Sequence, residues 1–531
     1  MKTKITYIII TAWLLTTNYA CKKYLDVLPD NRAELNTTEK IGKILNSAYP
    51  YATYVPVAEI SSDNVDEVAS TYVNYPRFIE QIYKWEDIKE TNNDGIERIW
   101  GAGYSAIASA NAALQAIEEQ GNPASLSGQK GEALVARAYN HWILVNIFAQ
   151  NYSKTHSTTD LGITYMVKGE TVLNPKYERN TVAEVYENIK KDLEEGLPLI
   201  NDGIYANSNV AKYHFNKAAA YTFASRVALF MEDWQKVIDY SNIALGDNPS
   251  STLRDHATIA TFAADYANIC REYNSSTIKA NFLITAVTSS MGATFGNYST
   301  INRISHGGAI ANLETVYATQ PYGKASVSTD YRIRTFNYTS ATLNRVALPH
   351  VARMFEYTDP VAGIGYIKGV YAPIVSEEAL LNRAEAYIML KDYTKAIADM
   401  QLHIDNNTIK TPLQISETSI NTWANSFQYF TPTAPTPKKR LNPEFTIESG
   451  TQENMVHALL SLKRVQFLST GMRWYDIKRY GIEITRRVAP MVVNSAHTFT
   501  VTDNVLKVRD PRRAIQLPQD VISAGLTPNP R

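Results

Sequence analysis

Val227-Ala-Leu-Phe-Met-Glu-Asp-Trp234 runs on as Gln-Lys-Val-Ile-Asp-Tyr240, and Ala386-Tyr-Ile-Met-Leu-Lys-Asp-Tyr393 runs on as Thr-Lys-Ala-Ile-Ala-Asp399. In each, a helix ends, Asp followed by an aromatic residue makes the turn, and a second helix opens with a small or β-branched residue followed by Ile. This is the grammar of a tetratricopeptide unit, in which a small residue lets paired helices approach closely. Only these two units are clear. Residues 98–119 with 132–149 read as a further, degenerate pair. The pattern predicts a mainly α chain: a tetratricopeptide-like helical-repeat scaffold, short and interrupted, with a second irregular lobe of loops, short helices and a few short strands.

Working outward, Glu132 to Phe148 places Leu134, Ala138, Trp142, Val145 and Phe148 at spacings of three and four, one apolar stripe on a helix. Thr181 with Glu184 three residues on forms a capping box that opens the helix running towards Leu197-Pro198. Residues 250–375 read as loops and brief strands, with turns at Ser289-Ser290-Met-Gly292, Gly307-Gly308 and Gly363-Ile-Gly365. Residues 416–450 contain Thr431-Pro-Thr-Ala-Pro-Thr-Pro437 and then Lys438-Lys-Arg440, and read as a long solvated loop. The chain divides on this reading into 1–20, 21–249, 250–375 and 376–531.

The N-terminus supplies an address. Met1-Lys-Thr-Lys4 is basic, Ile5 to Leu15 is apolar, and Ala20 precedes Cys21. That is a secretory signal over 1–20, since a membrane span needs roughly 20 apolar residues. Cysteine at the cut predicts lipid attachment at Cys21, each buried methylene contributing about 0.8 kcal/mol to anchoring. The only other cysteine is Cys270, so the mature chain forms no intramolecular disulfide with a lipidated Cys21. Fifty-two basic and fifty-two acidic residues cancel, which leaves no field to attract nucleic acid. Membrane contact is expected through the lipid anchor alone.

No motif points to catalysis. Gly101-Ala-Gly103-Tyr-Ser-Ala106 mimics a dinucleotide fingerprint, but it sits in a helix beginning near Ile96 rather than after a strand. The nine histidines are scattered, and none pairs with a cysteine at metal-ligand spacing. No catalytic residue, metal ligand or cofactor is therefore assigned, although two carboxylates meeting in space, as in glycosidases, stay open. Glu59 to Trp100 is the richest segment. Asp63, Asn64, Tyr72, Tyr75, Arg77, Trp85, Asn92 and Asn93 offer aromatic plates for sugar faces and amides, a carboxylate and a guanidinium for hydroxyls. The alternative is a polar loop with buried aromatics. Leu462 through Gly481 reads as a helix ending near Gly471, then a second start at Arg473 and Asp476 that suggests an internal polar network.

The chain resembles the SusD/RagB family of outer-membrane lipoproteins over essentially all its mature length. The resemblance rests on Cys21-Lys-Lys-Tyr-Leu-Asp26 with Pro29, Gly131-Glu-Ala-Leu-Val-Ala-Arg-Ala-Tyr139, Val185-Tyr-Glu-Asn-Ile-Lys-Lys-Asp-Leu193, Asn382-Arg-Ala-Glu-Ala-Tyr387, and Phe467 through Gly481. The closing Leu517-Pro518 and Asn529-Pro530 also fit it. Departures are Gln466 and Thr470 where acidic residues are usual, and Lys22-Lys23 where acidic export tags are common. The resemblance implies a non-catalytic protein at the outer membrane, facing the cell exterior. It implies a SusC-like, TonB-dependent β-barrel partner on the helical lobe and a glycan ligand gathered by the looped lobe, near residues 63–93. Two other functions stay open: a lipid-anchored protein-interaction scaffold and a glycan hydrolase.

Overall fold

The computed structural model describes residues 35–68, 76–170, 175–262, 265–296, 303–324, 335–340, 343–408, 414–488 and 500–531. The expected signal peptide, Cys21, Tyr72 and Tyr75 lie outside the described residues. In chain order the scaffold helices are α1 (Ile96–Glu119), α2 (Ser127–Phe148), α3 (Val182–Gly196), α4 (Lys217–Phe230), α5 (Trp234–Leu245), α6 (Ser376–Met389), α7 (Tyr393–Asn407), α8 (Thr451–Gln466) and α9 (Met472–Arg479).

The two quoted segments close helical hairpins with the same hardware. Glu232 and Lys391 end α4 and α6 in left-handed conformations, φ +59° and +63°. The next residue reaches back across the turn: Asp233 N–H donates to Ala228 O and Asp392 N–H to Tyr387 O, both at 2.9 Å. Each Asp side chain then caps the following helix, accepting from Lys236 N and Lys395 N at 3.2 Å. Although a long insertion separates the hairpins in sequence, α5 packs directly on α6. A fully buried pair, Arg226 with Glu378 at 2.6 and 2.7 Å, ties α4 to α6. The degenerate pair is α1 with α2, where Gly103 lets the helices meet: a Cβ there would lie 2.9 Å from the Leu144 side chain.

Some local expectations change. Helix α2 is buried on nearly every side from Gly131 to Phe148, not along one stripe, because α1 and α3 flank it and the C-terminal segment closes over its end. The capping box of Thr181 and Glu184 opens α3 as read from sequence. Helix α8 ends at Gln466, before the expected stop; Gly471 (φ +79°) instead opens α9. Within 250–375 the strands are not all brief. Strands β1 (Asn281–Thr288), β2 (Ala352–Asp359) and β3 (Ile364–Val375) form an antiparallel sheet in the order β1-β3-β2. Its twelve-residue central strand leads into α6. The turn containing Gly363 (φ +67°) joins β2 to β3, as the glycines predict.

Residues 416–450 are not wholly a solvated loop. Ser416 and Ser419 form a capping box on a helix, Glu417–Asn425. Lys438 and Lys439 are buried, Lys439 because its ammonium meets Glu314 at 2.6 Å.

Candidate functional site

Among the described residues, the segments that carry the resemblance meet in the interior. Arg137 on α2 grips Asp192 on α3 through two bonds of 2.7 and 2.6 Å, joining two of them directly. On α6, Glu385 accepts from Tyr480 at 2.7 Å and pairs with Lys463 at 3.0 Å and Arg479 at 2.9 Å. Burial would raise its carboxyl, yet Arg479 and Lys463 hold it down to about 2. Lys478 donates to the carbonyls of Asn146 and Ala149 at the end of α2. Burial brings its ammonium down to about 7. The network suggested by Arg473 and Asp476 exists, but they do not pair with each other. Arg473 grips Asp63 at 2.8 and 2.9 Å, and Asp476 meets Lys463 at 3.1 Å.

The residues named from sequence as sugar contacts divide sharply. Asp63 has a side chain only 9% exposed and is surrounded by Arg473, Arg464 and Lys439. Burial opposes its charge, but Arg464 and Arg473 hold its carboxyl well below the usual range. Asn64 is fully buried, donating to Glu59 and accepting from Arg464, both at 2.9 Å. Trp85 is buried with φ +55°, donates from Nε1 to Ser61 O at 2.9 Å, and has the Arg486 guanidinium 4.1 Å from a ring centroid. Those three side chains are engaged by the protein itself. Arg77, at the start of the helix Arg77–Tyr83, is exposed and 3.5 Å from Glu90. Asn92 and Asn93 are also exposed, Asn92 accepting from Asp94 N at 2.8 Å.

A capacious cleft lies elsewhere, outside residues 250–375. It has a volume of about 750 Å³ between α1, residues 164–170 and 175–177, and residues 521–526. Its floor is aromatic: Trp100 and Tyr104, one turn apart on α1, have ring centroids 4.9 Å apart, and Trp100 leans edge-on against Phe148. Tyr177 lines the opposite wall, its hydroxyl donating to Glu170 at 2.7 Å. Lys168 and Lys176 stand exposed on the rim. Neither ammonium is ion-paired among the described residues.

The wall formed by 164–167 is fastened to the helices. Tyr104 Oη donates to Thr164 O at 2.9 Å, and Asn111 Nδ2 donates to Met166 O at 3.1 Å. Met166 N–H donates to His141 Nε2 at 2.9 Å, which leaves Nδ1–H to donate to Arg137 O at 2.9 Å. Burial drives His141 down to about 3, so it stays neutral and keeps the lone pair that Met166 needs. Arg179 binds Gly162 O at 2.6 Å and Thr527 O at 2.9 Å, tying this segment to the C-terminal wall. Sequence reading placed Trp100 and Tyr104 on a helix but did not find the cleft. Its one available signal was their i, i+4 spacing, which serves a core stripe equally well.

Residues 23–229 match a SusD-like family described as starch-binding and associating with the outer membrane. No curated protein matches the chain. Among solved structures, the chain is similar to a SusD superfamily protein from Bacteroides thetaiotaomicron, with 17% identity, TM-score 0.63, and coverage of 93% of this chain and 100% of that one. A SusD superfamily protein from Bacteroides vulgatus is 16% identical, with TM-score 0.62 and coverage of 92% and 97%. A SusD-like carbohydrate binding protein from the same species is 16% identical, with TM-score 0.55 and coverage of 92% and 96%. These structural likenesses establish a shared fold over nearly the whole chain.

Proposed function

We propose that this chain belongs to the SusD/RagB family and is a non-catalytic lipoprotein of the outer membrane that captures a glycan and hands it to a SusC-like, TonB-dependent β-barrel. The observation that carries the reading is the match of residues 23–229 to an outer-membrane starch-binding family. The fold shared with a SusD-like carbohydrate binding protein supports it. Cys21 holds the body at the outer face of the membrane by its acyl chains. Arg77, Asn92 and Asn93 are the expected contacts that the fold leaves on the surface; Tyr72 and Tyr75 complete the proposed set. The side chains of Asp63, Asn64 and Trp85 are engaged inside the fold and are left out of the proposed contact set. The helical hairpins face the barrel.

A glycan array followed by calorimetry tests capture. Binding of at least one oligosaccharide, weakened by Arg77→Ala or by Asn92→Ala with Asn93→Ala, is the expected result. Purification from membranes tests the partner: a β-barrel should accompany the chain. Failure to bind any glycan, together with failure to co-purify with a barrel, would defeat the reading. A Cys21→Ala form should leave the membrane and still bind.

A further inference from the structure

We infer that the cleft over Trp100 and Tyr104 is a second saccharide site, separate from the surface near residues 63–93, and that it takes a short glycan bearing a carboxylate, as a uronic acid does. The inference rests on the glycan-binding reading but concerns a different part of the molecule. A volume of about 750 Å³ falls in the usual range for small-ligand sites, roughly 300–1,000 Å³. That space suits a short saccharide or a chain end.

The chemistry of the lining selects the class. Trp100, Tyr104 and Tyr177 are all partly exposed and offer flat apolar faces, which sugar rings stack against. The Tyr104 hydroxyl is already committed to Thr164 O and that of Tyr177 to Glu170, so the rings meet a ligand mainly through their faces. Charge comes from three rim residues. Glu170 is held by Tyr177, whereas Lys168 and Lys176 pair with no carboxylate among the described residues. Two free ammonium groups against one engaged carboxylate favour an anionic ligand, and charge matching at a rim sets on-rate and partner choice.

The walls are ready for it. The bonds from Tyr104, Asn111 and His141 fix 164–166 on the helices, and Arg179 spans to the C-terminal wall. A ligand entering this cleft meets residues 164–166 already fixed in place, which lowers the entropic cost of binding.

The test uses the detergent-solubilised full chain and calorimetry with tetrasaccharides of galacturonate, alginate and hyaluronan, beside neutral cellotetraose. At least one acidic probe should bind, more weakly as salt rises. Lys168→Glu with Lys176→Glu should weaken it about tenfold or more, with an unchanged melting temperature. Trp100→Ala should weaken it also. Because Trp100 leans on Phe148, the exposed lysine pair gives the deciding variant. Arg77→Ala should leave this binding unchanged. Absence of binding by all three acidic probes overturns the second site, as does acidic binding that survives the lysine reversals. Neutral-glycan binding that Arg77→Ala weakens, without acidic binding, overturns the second site alone; no binding of any glycan counts against both readings.

Discussion

Lys439 and Lys168 are both lysines in irregular segments, and the fold uses them in opposite ways. Lys439 is buried, 2.6 Å from Glu314 and 3.6 Å from Asp63, and burial brings its ammonium down to about 8. Lys168 stands in solvent on the rim of the cleft. The contrast extends to their surroundings. In the interior, Asp63, Glu314, Arg464 and Arg473 satisfy one another across segments separated by hundreds of residues. At the cleft the polar groups that fix 164–166 are engaged, while the two lysines on the rim are exposed. A charge with partners on every side holds a fold; a charge kept outside such a network is available to a ligand.

Removing one interior partner should break that distinction most visibly. Asp63→Ala leaves Arg473 without its bidentate carboxylate and removes a neighbour of Arg464 and Lys439. An uncompensated buried charge costs roughly 3–5 kcal/mol. Urea unfolding should show a loss of that order. A loss below about 1 kcal/mol would mean that Asp63 belongs with the accessible contacts, as its sequence neighbourhood first suggested.

Acid probes the same interior. His141 is lowered to about 3, and His306, His350 and His403 to about 4, in each case chiefly by burial. Their folded values lie below the unfolded value near 6.5, so between these limits the unfolded chain binds more protons. The neutral histidines therefore favour the fold above about pH 6.5, and that advantage shrinks as pH falls towards 4. At pH 5 each accounts for roughly 2 kcal/mol of lost stability, at about 1.4 kcal/mol per unit. Urea midpoints measured from pH 7 to 5 should fall, and His403→Met should reduce the slope by about one proton. An unchanged slope in that variant would show that His403 is not buried neutral.

Packing gives the next effect. Gly103 sits where α1 meets α2, and an added methyl would lie 2.9 Å from Leu144. Overpacking costs about 1–3 kcal/mol, so Gly103→Ala should lower the melting temperature despite alanine's better helix propensity. A stabilised variant would show that Leu144 yields and that α1 is less firmly seated beneath the cleft than the contact implies.

Caps and turns were more legible in sequence than contacts between remote segments, for a physical reason. Asp233 and Asp392 recur at hairpin turns because a helix start needs an acceptor, and Thr181 with Glu184 follows the same local rule. Such rules act over three or four residues and leave a mark in the chain. Asp63, Asn64 and Trp85 fit sugar chemistry equally well on paper, because residue type does not reveal which side of a turn faces Arg464, Arg473 or Arg486. Lys439 followed a proline-rich run and read as solvated for the same reason: its partner Glu314 is remote in sequence. The cleft was invisible because it depends on 164–170, 175–177 and 521–526 lying against α1, contacts that no local spacing encodes.

The smallest expected effect sharpens the comparison most. Lys168→Ala with Lys176→Ala removes two exposed charges that pair with no carboxylate among the described residues, so stability should change by no more than about 0.5 kcal/mol. This near-silence has content, because the same two changes should weaken an acidic saccharide in the cleft. A variant with an unaltered urea midpoint and reduced affinity would separate rim from interior in one experiment. A large loss of stability would instead assign these lysines to the fold, making the rim a second version of the network around Asp63 and removing the charge argument for a ligand there.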